Sequence, residues 1–307
     1  MAEPVGWPPV TVVIATRDRP GLLERAVTQI FAQDYTGPVQ VVVVYDHVPV
    51  RELDVPAQPG RTLTLIANTH RQGLPGGRNS GCDAATGDLL AFCDDDDIWR
   101  PQKLRRQVEM LLTRPEHGAV ACGISLEGPG IDRERPGRTE PVTLDDLLED
   151  RIMEVHPSTM LVTRATLAAA GPVDEDIPGG YAEDYEWLLR VAKHTPIAIV
   201  PDPLVVVERH GQSFFFGKWV MIVDALRYLL AKHPEFERSP RGRARIHGQI
   251  AFALASAGRR REALAELRTV AKLNPGEKRI LATAPVVMGM LSGDKVLSMA
   301  QKRGRGV

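Results

Sequence analysis

The chain has 307 residues, 43% hydrophobic, 25% charged and 5% aromatic, which suits a globular protein with one large domain and something smaller, or with two medium ones. Its formal charge of −1 hides a division: residues 1–231 carry 22 Lys and Arg against 33 Asp and Glu, whereas residues 232–307 carry 16 against 6. No apolar run approaches the ~18–20 residues of a membrane-spanning helix, the N-terminus lacks a secretory signal, and three scattered cysteines argue against a disulfide or zinc framework; the expectation is a cytoplasmic protein.

Val10–Ala15 reads as a β-branched strand, and Leu22–Gln33 as a helix after Arg19-Pro20-Gly21. Val39–Tyr45 is a near-continuous valine run, the mark of a strand buried on both faces. Leu63–Ala67 is a third strand, followed by a Gly-rich turn and a helix around Arg78–Ala85. Leu89–Cys93 is a fourth strand, and Pro101–Thr113 a helix with Leu104, Val108 and Leu111 on one face. This βαβα rhythm predicts an α/β fold around an open, mostly parallel, Rossmann-like sheet.

Further along, Ala119–Ile124 and Met160–Thr163 read as strands, separated by a Gly/Pro/charge-rich loop at Glu127–Pro141. Arg164–Ala170 and Tyr181–Lys193 read as helices, and Ile197–Val200 and Leu204–Glu208 as two strands. From Phe216 the pattern is helical only. Ile246, Ile250, Leu254 and Ala257 form a stripe, Gly258 breaks it, and Glu262–Leu273 resumes it. That pair resembles one tetratricopeptide-type hairpin, which cannot bury its face alone. The predicted division is an α/β domain over 1–215 and a basic helical region over 216–307.

The strongest chemical signal is Asp94-Asp95-Asp96-Asp97, directly after an apolar strand. Ligands of open parallel sheets bind beyond the carboxyl ends of strands, where this cluster falls. Two unit charges ~4 Å apart repel by about 4 kcal/mol at an effective dielectric of 20. Four in a row therefore need solvent, a helix to cap, or a cation such as a divalent ion shared with a substrate diphosphate. Asp46 ends a second buried strand, where it either binds a nucleotide or starts a turn before Pro49.

Taken in order, these stretches resemble one family. Val12-Val-Ile-Ala-Thr-Arg-Asp-Arg-Pro20 is similar to the opening strand and loop of the inverting glycosyltransferases of family two with the GT-A fold. The likeness continues through Gln33-Asp34-Tyr35, Asp46, Asn68…Gly73…Gly77-Arg78-Asn79-Ser80-Gly81 and Phe92-Cys93-Asp94-Asp95-Asp96-Asp97-Ile98-Trp99. A second block comprises Ser158-Thr-Met-Leu-Val, Gly171-Pro-Val-Asp-Glu175 and Glu183-Asp184-Tyr-Glu-Trp187, so the likeness spans roughly residues 10–215.

The resemblance implies transfer of a sugar from a nucleoside-diphosphate sugar to an acceptor hydroxyl, with a divalent metal, manganese preferred over magnesium. It implies that Thr16, Asp46 and Arg78 line the nucleotide pocket, with Asp46 reading the base. Asp94 belongs to the DXD-type motif, Asp95 would face the ribose or sugar, and Asp96 and His210 would contact the metal. Asp184, paired with Glu183, would be the general base, as a single in-line displacement requires beside the acceptor. Both acids also suit the first turn of a helix, where the dipole favours them. Ala15-Thr16-Arg17-Asp18 and Tyr45-Asp46-His47-Val48 depart from the family's usual pocket sequences, which leaves the donor base open.

Two other classes remain in view: a sugar nucleotidyltransferase and a non-catalytic sugar-nucleotide-binding scaffold. The first would place its glycines straight after the first strand, whereas here they come at Gly73–Gly81. The excess of 30 Arg over 8 Lys points to a bacterial source and so to a glycan, lipid-linked or small-metabolite acceptor. The basic tail is suited to peripheral contact with the inner face of a membrane or to a homodimer, and least to nucleic acid, since its charge is dispersed.

Overall fold

The computed structural model describes residues 6–128, 131–208 and 217–301. In chain order the first half runs β1 (Val10–Thr16), α1 (Pro20–Phe31), β2 (Val39–Tyr45), β3 (Arg61–Ala67), α2 (Leu74–Asp83), β4 (Leu89–Phe92), β5 (Ile98–Trp99) and α3 (Lys103–Thr113). It continues with β6 (Ala119–Gly128), β7 (Ile131–Arg135), α4 (Leu144–Glu149), β8 (Leu161–Thr163), α5 (Arg164–Ala170), α6 (Glu183–His194) and β9 (Ile197–Glu208). Helices α7 (Trp219–Lys232), α8 (Pro240–Ser256), α9 (Arg260–Leu273), α10 (Arg279–Val287) and α11 (Gly293–Gln301) follow.

The chain divides into two compact units. One comprises Met1–Leu144, Ile152–Glu175 and Trp187–Arg209, the other Asp145–Arg151, Asp176–Glu186 and His210–Val307. The first holds a nine-strand sheet in the order β3-β2-β1-β4-β8-β6-β9-β5, with β7 paired to β6. Strands β3, β2, β1 and β4 are mutually parallel, while β8 runs antiparallel to both β4 and β6. The valines of β2 are fully buried, as expected of a strand covered on both faces. On α1, Leu23, Ala26, Val27, Ile30 and Phe31 make the buried stripe that amphipathic spacing requires.

Two expectations need correction. The Glu127–Pro141 stretch is not all loop: β7 lies within it and pairs antiparallel with β6, with Glu127 opposite Asp132 and Leu126 opposite Arg133. Its charges suit a strand with one face in water, a pattern that composition reads as loop. The two strands predicted around Pro201-Asp202-Pro203 are a single strand, β9. Its register against β6 jumps from Cys122–Val200 to Gly123–Pro203, so the prolines, which cannot donate to the ladder, are accommodated in a bulge. The short elements β5 and α4 carry too few residues to show a period.

Close approach explains the glycines of α2. A Cβ on Gly76 would lie 1.9 Å from the Arg71 carbonyl oxygen, and one on Gly77 would lie 2.9 Å from the Cβ of Ala15 in β1. These two glycines let the helix lie against the strand and the preceding loop.

Beneath the sheet edge, α3 buries a lysine. Lys103 Nζ lies 3.7 Å from the centre of the Trp99 ring and donates to Gln107 Oε1 at 2.7 Å. Gln107 Nε2 in turn donates to the carbonyls of Val120 (3.2 Å) and Thr159 (2.7 Å). Burial lowers the Lys103 ammonium to about 8. Gln107→Leu strips a partner from one buried ammonium and two carbonyls, and should cost roughly 2–4 kcal/mol, a fall of roughly 5–10 °C in thermal melts. A shift below about 2 °C would show that the network contributes little.

Candidate functional site

The carboxyl ends of β1, β2 and β4 lie side by side, since β1 pairs with both neighbours. Thr16 ends β1, Asp46 follows β2, and the aspartate run follows β4. Parallel pairing therefore gathers at one sheet edge groups far apart in sequence. The loop beyond β1 turns through Asp18 and that beyond β2 through His47, two non-glycine residues at positive φ (56° and 57°). Such backbone is costly and persists where the surroundings enforce it.

Each carboxylate of the run has a different environment. Asp95 is almost fully buried, accepts a hydrogen bond from the Thr16 hydroxyl at 2.6 Å, and pairs with Arg19 at 2.6 Å. Burial pushes its carboxyl up to about 6, against the pull of Thr16 and Arg19, and neighbouring Asp96 and Asp94 add to the rise. Arg19 also pairs with Asp96 at 2.6 Å, so one guanidinium bridges two carboxylates. Asp94 Oδ1 accepts from Arg78 Nη2 at 3.0 Å; Arg78 is buried within α2. Asp97 is buried too, and burial together with Asp94 holds its carboxyl well above the usual range.

A cleft beside this run is lined by Thr16, Arg19, Tyr45, Val48, Pro49 and Arg51 among others. Asp46, predicted to read a base, is buried and accepts from Asn68 Nδ2 (2.8 Å) and the Gly73 amide (3.1 Å). Within the protein it thus fastens the loop between β3 and α2. The far side of that loop is fixed by Glu175, which accepts from Asn79 Nδ2 (2.6 Å) and the Arg71 amide (3.0 Å) and pairs with His70 at 2.8 Å. His70 also pairs with Asp83 at 2.8 Å.

Thr16, Asp46, Arg78, Asp94, Asp95 and Asp96 are therefore gathered in one neighbourhood of the first unit. Glu183 and Asp184 open α6 and belong to the second unit. His210, expected to touch the metal, lies outside the described residues, as do Phe214, Phe215 and Phe216. Trp219 packs edge-on against Phe252 at 5.9 Å, within the helical unit.

The residues of the run fit a divalent ion. Asp94, Asp97 and His156 each offer a ligand atom, all within 4.8 Å of one another, and Asp97 Oδ2 is buried without a hydrogen-bond donor among the described residues. Hard carboxylate oxygens with one imidazole suit manganese or magnesium. Of the expected Asp96 and His210, Asp96 pairs with Arg19, and His210 is outside the described residues. The sequence reading overlooked Arg19 and His156. Both had a signal: Arg19 lies within the opening motif, and His156 stands two residues before Ser158.

The chain matches Glycosyl transferase family 2 over residues 11–166. It belongs to that family. An uncharacterized glycosyltransferase of Nostoc sp. is 33% identical over 45% of this chain and 44% of its own length. The succinoglycan biosynthesis protein ExoO of Rhizobium meliloti is 38% identical over 33% of this chain and 29% of its own. The matches thus span less than half the length of these curated relatives. Among solved structures, the mannosyltransferase PcManGT from Pyrobaculum calidifontis, in complex with GDP-Man and Mn2+, is similar with a TM-score of 0.57 at 21% identity. That likeness covers 97% of this chain and 89% of that one, and it shows the GT-A fold.

The His70 contacts give a pH test. Hydrogen bonding to Asp83, and then to Glu175, raises the His70 imidazole above its ordinary value. A raised imidazole contributes stability below about pH 6.5, and this is lost as pH rises through the folded value. His70→Gln should therefore lower the melting temperature more at pH 6 than at pH 9. Equal losses at both would remove the charged pairing from the account.

Proposed function

We propose that this protein moves a sugar from a nucleoside-diphosphate sugar to an acceptor hydroxyl with inversion at the transferred carbon. The observation that carries the reading is the set at the ends of β1, β2 and β4: Thr16, Asp46 and four aspartates beside the cations Arg19 and Arg78. Such a site matches a ligand that brings polar nucleoside, negative diphosphate and metal charge together. The GDP-Man and Mn2+ held by the structurally similar mannosyltransferase support the same donor class and a divalent ion.

In this reading Thr16 and Asp46 hold the nucleoside, Arg78 keeps Asp94 in place, and Asp95 faces the ribose or sugar. The ion is held at the aspartate run, by Asp96 and His210 or by Asp94, Asp97 and His156. When bound, it offsets the charge that develops on the leaving diphosphate. Asp184 takes the proton from the acceptor hydroxyl, with Glu183 beside it. The acceptor is a glycan, a lipid-linked sugar or a small metabolite, and the basic helices meet a membrane surface or a second copy.

Excess chelator should abolish turnover, and manganese should restore it; full activity in chelator would sink the metal assignment. The released product distinguishes reaction classes, since nucleoside diphosphate marks glycosyl transfer and pyrophosphate marks nucleotidyl transfer. Asp184→Asn should retain the thermal shift produced by a bound donor while kcat falls by about 10²-fold or more. Turnover within a few-fold of wild type would move the base elsewhere.

A further inference from the structure

Three consecutive residues in the first turn of α6 are held by three other elements of the same unit. Asp184 Oδ2 accepts from Arg151 Nη2 at 2.5 Å, from the segment just after α4. The Tyr185 hydroxyl donates to the Leu147 carbonyl of α4 and accepts from Arg245 Nη2 of α8 at 2.6 Å. Glu186 has no exposed surface, and its Oε1 accepts from Lys232 Nζ and from His233 Nε2, each at 3.0 Å, at the end of α7.

The approach to this turn is also tightly specified. Gly179, Gly180 and Ala182 have positive φ (63°, 66° and 64°), and a Cβ on Gly179 would lie 1.8 Å from Met221 Sδ of α7. Ala182 carries a Cβ in that conformation, a strain that persists where the surroundings over-determine the backbone. A helix held only by its apolar face would need none of these contacts. Buried charge pairs add little net stability, yet removing one partner is strongly destabilising, so they favour one geometry over others.

We infer that Arg151 is a positioning residue for the general base: it fixes the Asp184 carboxylate and supplies the cation beside it, while Tyr185 and Glu186 lock the turn to the C-terminal helices. The inference rests on the reading of Asp184 as the base. A cation in contact favours the ionised, proton-accepting form of a carboxylate. Asp184, Tyr181, Glu183 and Tyr185 all act on the Arg151 guanidinium, and Arg151 and Asp184 both act on the Tyr181 hydroxyl. Arg245 of α8 and Arg279 of α10 act on Tyr181, and Lys232 and His233 of α7 on Glu186. Arg151 itself is held charged chiefly by Asp184, although desolvation opposes it.

Arg151 is 48% exposed, so its replacement leaves the core intact. The test compares Arg151→Met, Arg151→Lys and Asp184→Asn with the wild-type full chain. Nucleoside-diphosphate release would be followed from pH 4 to 9 with UDP-glucose, UDP-N-acetylglucosamine and GDP-mannose plus manganese, with water as the acceptor. Arg151→Met should move the acid limb of kcat up by about one pH unit, which lowers kcat several-fold near pH 4 and little at pH 7, with donor KM within about twofold of wild type. Arg151→Lys should return the limb to within about 0.3 units of wild type, since the cation is restored. An unmoved limb in Arg151→Met, beside an inactive Asp184→Asn, overturns the inference and leaves the base in place. An active Asp184→Asn overturns the base reading itself.

Discussion

Four carboxylates in succession at the end of a buried strand impose the constraint on which this sheet edge depends. Repulsion and desolvation both act against their ionised forms, and Asp95 and Asp97 register this as carboxyls held above the usual range. The protein answers with two arginines of different character. Arg78 is buried in α2 and serves Asp94, whereas Arg19 is 47% exposed and bridges Asp95 and Asp96. The buried arginine is a fixed part of the scaffold. The half-exposed one joins a buried carboxylate, Asp95, to a partly exposed one, Asp96.

The second unit solves a different problem. Its helices hold a short loop-to-helix transition that carries the Glu183-Asp184 pair, through Leu147, Arg151, Lys232, His233 and Arg245. Much of its basic character is spent on local pairs, with Arg227 and His247 on Glu266 and Arg259 on Glu262. The net positive charge of residues 232–307, 16 Lys and Arg against 6 Asp and Glu, outlasts these pairs, since each pair also uses up an acid.

Strands β1, β2 and β4 were legible because burial on both faces leaves a continuous apolar run. The aspartate cluster was legible because four consecutive acids directly after an apolar strand stand out in the sequence itself. β7 was not, since a charged strand at an edge has the composition of a loop, and β9 was not, since its prolines read as a break. The pairings of Arg19 with Asp95 and of Arg151 with Asp184 join residues 76 and 33 positions apart. Such pairings follow from how the elements pack, which no local period encodes. The resemblance supplied roles for Asp184 and Asp46, but not the groups that hold them.

The contact between Gly77 and Ala15 makes two of the smallest side chains a spacer for the charge pairing above them. Helix α2 lies as close to β1 as these residues allow, and the next residue along, Arg78, reaches Asp94 from that position. A methyl group added at Gly77 would alter no charge and touch no substrate, yet it would lift the arginine away from its carboxylate. A steric change one layer below the aspartate run can therefore alter its charge pairing, where a comparison of the residues lining the cleft alone would find nothing altered.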